Sequence, residues 1–226
     1  MIPLQVSKRC REIGLQSGAI IFRDVHVGDS THQLREEIAS CVAEIGATFS
    51  SRTEIRSLPE VTRFREILKC VGINPRKHAP TVEVLMQMAM KGRDLPAVNS
   101  LVDAYNLVSV STRCSMGAHD LDSIELPVDL RILDDPCRFT PLGASSEAEI
   151  AAGEFGYVDA RGRMLCRLDI QQADFSKVTS ATTNVLLIIE GTKAHSAAQL
   201  AESFRMSIAT VERYCGGHVE QIVEAT

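Results

Sequence analysis

Apolar positions along the chain change period near its middle. In the first half they recur every three to four residues. DSTHQLREEIASCVAEIGATF carries Leu34, Ile38, Val42 and Ile45 at helical spacing. EVTRFREILKCV follows Ser57-Leu-Pro-Glu60, which has the form of a capping box with Pro59 in the first turn, and Gly72 ends it. INPRKHAP reads as a loop, Pro80 opens TVEVLMQMAMK, and Gly92 closes it. LPAVNSLVDAYNLVSV then predicts a helix from Pro96, capped by Asp94 or Leu95. Ahead of these helices, GAIIFRDVHV (18–27) has the composition of a strand.

Beyond residue 110 the pattern becomes strand-like. PVDLRIL (127–133) reads as a strand, and EFGYVD and RMLCRLDI read as a hairpin joined through ARGR. NVLLIIEG (184–191), a continuous apolar run between turn residues, suits a buried central strand. SAAQLAESFRMSIATVERYCGG is a helix stopped by Gly216 and Gly217. The fold class expected is α+β, a mixed sheet packed with helices, with residues 1–226 forming a single domain.

Composition narrows the function classes. The core is expected to be aliphatic, because Trp is absent and aromatics make up 4% of the 226 residues. Seven Cys, an odd number without a Cys-x-x-Cys pair, argue against a zinc ribbon and a secreted disulfide framework. The start, MIPLQVSKRCREIG, has no signal-peptide core, and no apolar run approaches the roughly 18 residues of a membrane helix. These features read as a cytoplasmic protein with reduced, mostly buried thiols. Net charge is −5, but the span from Arg52 to Arg93 carries +5, leaving −10 elsewhere. A phosphate backbone would meet the first part and be repelled by the second.

No P-loop, Gly-x-Gly-x-x-Gly, His-Glu-x-x-His or Gly-x-Ser-x-Gly occurs. Cys215 and His218 supply two metal-ligand types, too few for a site, so neither metal nor cofactor is expected. Three features could carry chemistry. Asn99, Asp103 and Asn106 share one face of an otherwise apolar helix, a stripe that either faces water or lines a polar pocket. MGAHDLDSI (116–124) gathers His119, Asp120 and Asp122 in an expected loop. SKVTSATTNV (176–185) sets hydroxyls before the apolar run.

Taken together, Gly72-x-Asn74-Pro75, Leu95-Pro96-x-x-Asn99-x-x-Val102-Asp103-x-x-Asn106, Asp120-x-Asp122-x-Ile124, GEFGYVDARGRMLCRLD and VTSATTNVLLIIEG resemble a known module. It is similar to the B3/B4 editing domain of the phenylalanyl-tRNA synthetase beta subunit, which also occurs in free-standing proteins. The likeness covers roughly residues 60 to 191. It implies binding of aminoacyl-tRNA and hydrolysis of a mischarged amino acid ester in trans, by a chain that cannot charge tRNA itself.

The family's His falls at Gly117, with His119 two places on. Its tyrosine-reading Glu falls at Asp174, its Gly-Gly pair at Gln172-Ala173, and its Thr at Thr182. The resemblance therefore nominates His119 and Asp174 as catalytic. It nominates Asn99, Asp103, Asn106, Asp120 and Thr182 as substrate-binding, and Arg63, Lys69, Arg76 and Lys77 as contacts to tRNA. The alternative is a non-catalytic module that binds RNA or an amino acid-like small molecule. Neither reading calls for a membrane, and the oligomeric state stays open.

Overall fold

In the computed structural model, which describes residues 2–225, the elements run as follows. The chain begins β1 (Leu4–Val6), α1 (Lys8–Ile13) and β2 (Leu15–Arg23). Five helices follow: α2 (His32–Thr48), α3 (Arg52–Ser57), α4 (Pro59–Cys70), α5 (Thr81–Met90) and α6 (Ser100–Thr112). Then come β3 (Ser115–Asp120), β4 (Val128–Ile132), β5 (Cys137–Phe139), β6 (Ala148–Ile150), β7 (Phe155–Val158), β8 (Met164–Arg167) and β9 (Gln171–Gln172). The chain ends with β10 (Val185–Thr192), α7 (Ala197–Cys215) and β11 (His218–Val223). This is an α+β fold.

Two sheets organise it. Four antiparallel strands lie in the order β11-β2-β10-β3, and five lie in the order β1-β4-β7-β8-β9. The second sheet is mixed, since β1 runs parallel to β4 and the other pairs are antiparallel. β5 and β6 form a separate ribbon. All eight residues of β10 are buried. Alternation along the strands explains this, because each face has its own cover. Leu186 and Ile188 join Ala19 and Ile21 in a core shared with Val128, Leu130, Phe155 and Tyr157 of the five-stranded sheet. Val185, Leu187 and Ile189 face the other way, onto Leu101 and Tyr105 of α6 and Phe204 and Val211 of α7. A third core, with Val42, Ile55, Phe64, Val82 and Met86, holds α2 to α5 together.

Gly18 shows how closely the C-terminal strand closes on this frame. A Cβ there would lie 2.4 Å from the Val223 carbonyl and 2.5 Å from the Phe204 ring, so only glycine lets β11 settle on β2.

Several local expectations need correction. The Ser57–Glu60 capping box does not form: α4 has no side-chain cap, Ser57 Oγ bonds the Glu54 carbonyl, and the buried Glu60 takes Gln199 Nε2 at 2.7 Å. The helix expected from Pro96 starts at Ser100, with Asn99 as its cap. Residues 116–120 are strand rather than loop, followed by a single 3-10 turn at Leu121–Ser123. β1, α1, α3, β5, β6, β9 and β11 lie where no element was expected. Three of the seven cysteines are buried, three half-buried and Cys70 exposed; all seven are free.

Candidate functional site

Between the two sheets lies a small cavity. Ser115, Gly117 and His119, alternate residues of β3, form one wall with Ile188 and Glu190 of β10. Tyr157 of β7, Cys166 of β8 and the following Asp169 form the other. Met116 and Gly117 are partly exposed near the open side. The cavity volume is about 40 Å³. That is room for about three waters or one compact polar head, since a water needs roughly 10–15 Å³ on this measure. Gly117 sits in extended backbone, and a Cβ there would meet nothing within 4 Å.

Two carboxyls dominate the walls. Glu190, 2% exposed, accepts a short hydrogen bond from Tyr157 Oη on Oε2, while its Oε1 has no partner. Tyr157 Oη also lies 2.9 Å from Ser17 Oγ. Asp169 Oδ2 accepts from Ser115 Oγ at 2.8 Å and from the Thr81 amide at 3.2 Å. Thr81 Oγ1 donates to the Asp169 carbonyl at 2.5 Å. Asp169 thereby caps the first turn of α5, where the helix dipole favours an anion. Burial still wins: it raises the Asp169 carboxyl above its ordinary range despite those donors. Burial, reinforced by the charge of Asp169, pushes Glu190 up to about 8. Burial, with Glu190 beside it, also drives the Tyr157 phenol well above its ordinary range.

His119 is buried with its Nδ1 3.0 Å from Ser176 Oγ. Gln172 Nε2 donates to the Ala118 carbonyl at 2.9 Å and lies 3.4 Å from the same Nδ1. Burial lowers this imidazole to about 4, so it is neutral at pH 7.

Of the nominated residues, His119 alone lines the cavity. Asp174 turns to the surface, where Lys177 Nζ bonds both its oxygens at 2.9 Å and the Gly143 amide lies at 3.3 Å. Asp120 and Thr182 do meet, Thr182 Oγ1 donating to Asp120 Oδ2 at 2.7 Å. Asn184 Nδ2 likewise donates to Asp122 at 2.8 Å. With the His119–Ser176 contact, these bonds stitch the 176–184 segment along the end of β3.

Of the Asn99–Asp103–Asn106 stripe, Asp103 and Asn106 are buried and Asn99 is half-buried, and none lines the cavity between the sheets. Asn99 Oδ1 accepts from the Val102 amide at 2.9 Å. The buried Asp103 holds the Val98 amide at 2.9 Å and Ser30 Oγ, joining the segments before α2 and α6 rather than the 116–122 segment. Asn106 is buried on the same helix.

The basic span divides as well. Arg63 donates to the Ile13 carbonyl at 2.8 Å and to Glu66 at 2.9 Å. Arg56 and Arg65 are taken up by the fully buried Glu83, at 2.9 and 2.8 Å. Lys69, Arg76 and Lys77 are exposed.

The carboxyls of the cavity were missed in the sequence. Glu190 carried a signal, since it is an acid at the end of the apolar run NVLLIIEG. Asp169 carried none, because a strand-end Asp is ordinary turn chemistry. Cys215 and His218 part company: the thiol lies 3.5 Å from Ser100 Oγ, and the imidazole sits outside beside Asp24. Among the described residues no three His, Cys, Asp or Glu side chains group as metal ligands, and no helix is long and apolar enough to cross a membrane.

Comparison with known proteins adds the following. A solved N-terminal fragment of the phenylalanyl-tRNA synthetase beta subunit from Pyrococcus horikoshii is 11% identical, with a TM-score of 0.47. The alignment covers 96% of this chain and 49% of that one, so the chain spans about half its length. No curated protein matches. The B3/4 domain model matches residues 63–225, well over half the sequence, and on that match the chain belongs to the B3/4 domain family.

Proposed function

We propose that the cavity between the sheets receives the aminoacyl end of an aminoacyl-tRNA and that the protein hydrolyses the ester in trans. One observation carries this reading: the two hydrogen bonds from Thr81 to Asp169. They set the start of α5, a few residues after the exposed Arg76 and Lys77, against an acid-lined cavity. A basic rim beside an acidic interior suits a ligand with phosphates outside and an amino group within.

In this reading Asp169 is the general base. Its raised carboxyl takes a proton from water as the water oxygen attacks the ester carbonyl, and the acid so formed returns that proton to the ribose oxygen as the ester C–O bond breaks. Ser115 orients Asp169. His119, neutral and bonded to Ser176, positions the 176–184 segment rather than moving protons. Asp174 is a surface residue in this scheme.

The test is loss of the ester from a panel of charged tRNAs. The protein is expected to hydrolyse at least one, with Asp169→Asn slowing it about 10²- to 10⁴-fold. Asp174→Ala is expected to leave the rate nearly unchanged. Failure to exceed spontaneous hydrolysis on every tRNA overturns the enzymatic reading. A second reading, binding without hydrolysis, is favoured by the small volume of the cavity. It predicts a ligand that raises the melting temperature while the esters survive.

A further inference from the structure

Of the five other buried acids among the described residues, four are paired with an arginine and Asp103 has a donor on each oxygen, a pattern that Glu190 breaks. Glu83 is paired with Arg56 and Arg65, Glu60 with Arg113, Glu154 with Arg167, and Asp159 with Arg163. Each enters the interior with its own cation, which is how proteins offset the desolvation of a carboxylate. Glu190, buried, and Asp169, half-buried across the cavity, have hydroxyl and amide donors but no cation among the described residues. Oε1 of Glu190 lacks any partner, on an almost wholly buried side chain of a residue that lines the cavity.

From this we infer that the cavity is built for a nitrogen cation carrying N–H donors, held between the carboxylates of Glu190 and Asp169. The inference rests on the cavity being the ligand site and adds the chemical class of the group that enters it. The cation would supply the charge that Arg supplies to four of the other buried acids and would satisfy the open Oε1. A compact ammonium head matches the volume. Two sources fit: the α-amino group shared by every aminoacyl ester, or the side chain of a basic amino acid.

The titratable groups facing Glu190 are Cys166 of β8, Asp169 just after it, Tyr157 of β7, Cys10 of α1 and, further along β3, His119. None is cationic at neutral pH, since His119 is neutral. Glu190 holds its proton until a cation arrives, so binding should release a proton to the buffer.

Calorimetry at pH 7 with three probes tests this. Norleucinol carries its cation at the α-nitrogen, N-acetyl-lysine amide carries it on the side chain, and N-acetyl-norleucine amide is uncharged. One of the two cations should bind about ten-fold or more tighter than the uncharged probe. That probe identifies the source of the nitrogen. Glu190→Gln should abolish the preference, and binding heats should vary with the buffer's ionisation enthalpy. Asp169→Asn serves as the second variant should Glu190→Gln not fold. Equal binding of the uncharged probe, or cation binding unchanged in the folded variants, overturns the inference while leaving the cavity as the ligand site. If no probe binds, the inference also falls, and the deacylation assay decides the site separately.

Discussion

Glu190 places a measurable strain on the folded state as pH changes. Its carboxyl titrates near 8 in the fold and near 4.5 in an unfolded chain, so between those values the folded state holds the extra proton. Stability from this group is therefore complete below about pH 4.5 and is lost as pH rises through 8. Each unit of displacement is worth about 1.4 kcal/mol, so the change is on the order of a few kcal/mol. Glu190→Gln should flatten this dependence. Urea unfolding at pH 5 and pH 9 should show the variant losing less stability than the parent across that interval, and parallel losses would refute the assignment. His119 has the opposite sign. Its imidazole stays neutral to about 4, so its burial costs stability as pH falls from 6.5 toward 4. The sequence identified His119 but not its neutrality, because burial among Gln172, Ser176 and both sheets is a tertiary fact. It could not show Asp169 or Glu190 as a pair, since they lie on different sheets and meet only across the cavity.

At the level of elements, the polar stripe of α6 is structural. Asn99 caps the helix and Asp103 binds two incoming segments. Asn99→Ala should cost about 1 kcal/mol, the usual value of a cap, and Asn99→Asp should restore most of it. Neither change should alter ligand affinity at the cavity. Denaturant midpoints and a binding isotherm on the same samples check both halves, and lost affinity at unchanged stability would return Asn99 to the site. Period placed the stripe on one face, and that much was legible; its inward direction came only from the resemblance. Its partners were not legible, because Ser30 lies 73 residues from Asp103. The helices α2, α4, α5 and α7, the β7–β8 hairpin and the central β10 followed from apolar spacing and Gly or Pro punctuation. β1 has three residues and β11 alternates only between exposed and half-exposed positions, so neither carries a clear apolar pattern. β3 was read as a loop because Gly, His and Asp crowd it. Pairing with β10 from Ser115 to Asp120 overrides that local preference.

Across the whole molecule, charge is more evenly divided than a count along the chain suggests. Glu83 consumes two of the basic residues between 52 and 93, and Glu66 engages Arg63. What remains on the surface includes Lys69, Arg76 and Lys77, together with Lys91 beside Arg52 and Arg93, whose charges lower its pKa. If Arg76 and Lys77 meet phosphates, replacing each by Ala should weaken tRNA binding for every sequence alike. Each loss should also make the dependence of log affinity on log salt shallower by about one. Titrations at several salt concentrations measure this, and an unchanged slope would remove the 74–78 loop from the interface.

Gly117 adds a consequence of its own. Nothing in its backbone demands glycine, and nothing nearby would obstruct a side chain. A glycine inside a strand forfeits roughly 0.5–1 kcal/mol relative to alanine. β3 is the outermost strand of its sheet, where that forfeit weakens an unprotected margin. A methyl group projecting there would narrow the cavity along the wall that Gly117 lines. The protein thus keeps emptiness at the expense of firmness, the trade expected where selection acts on what the space admits rather than on how tightly the strand is held.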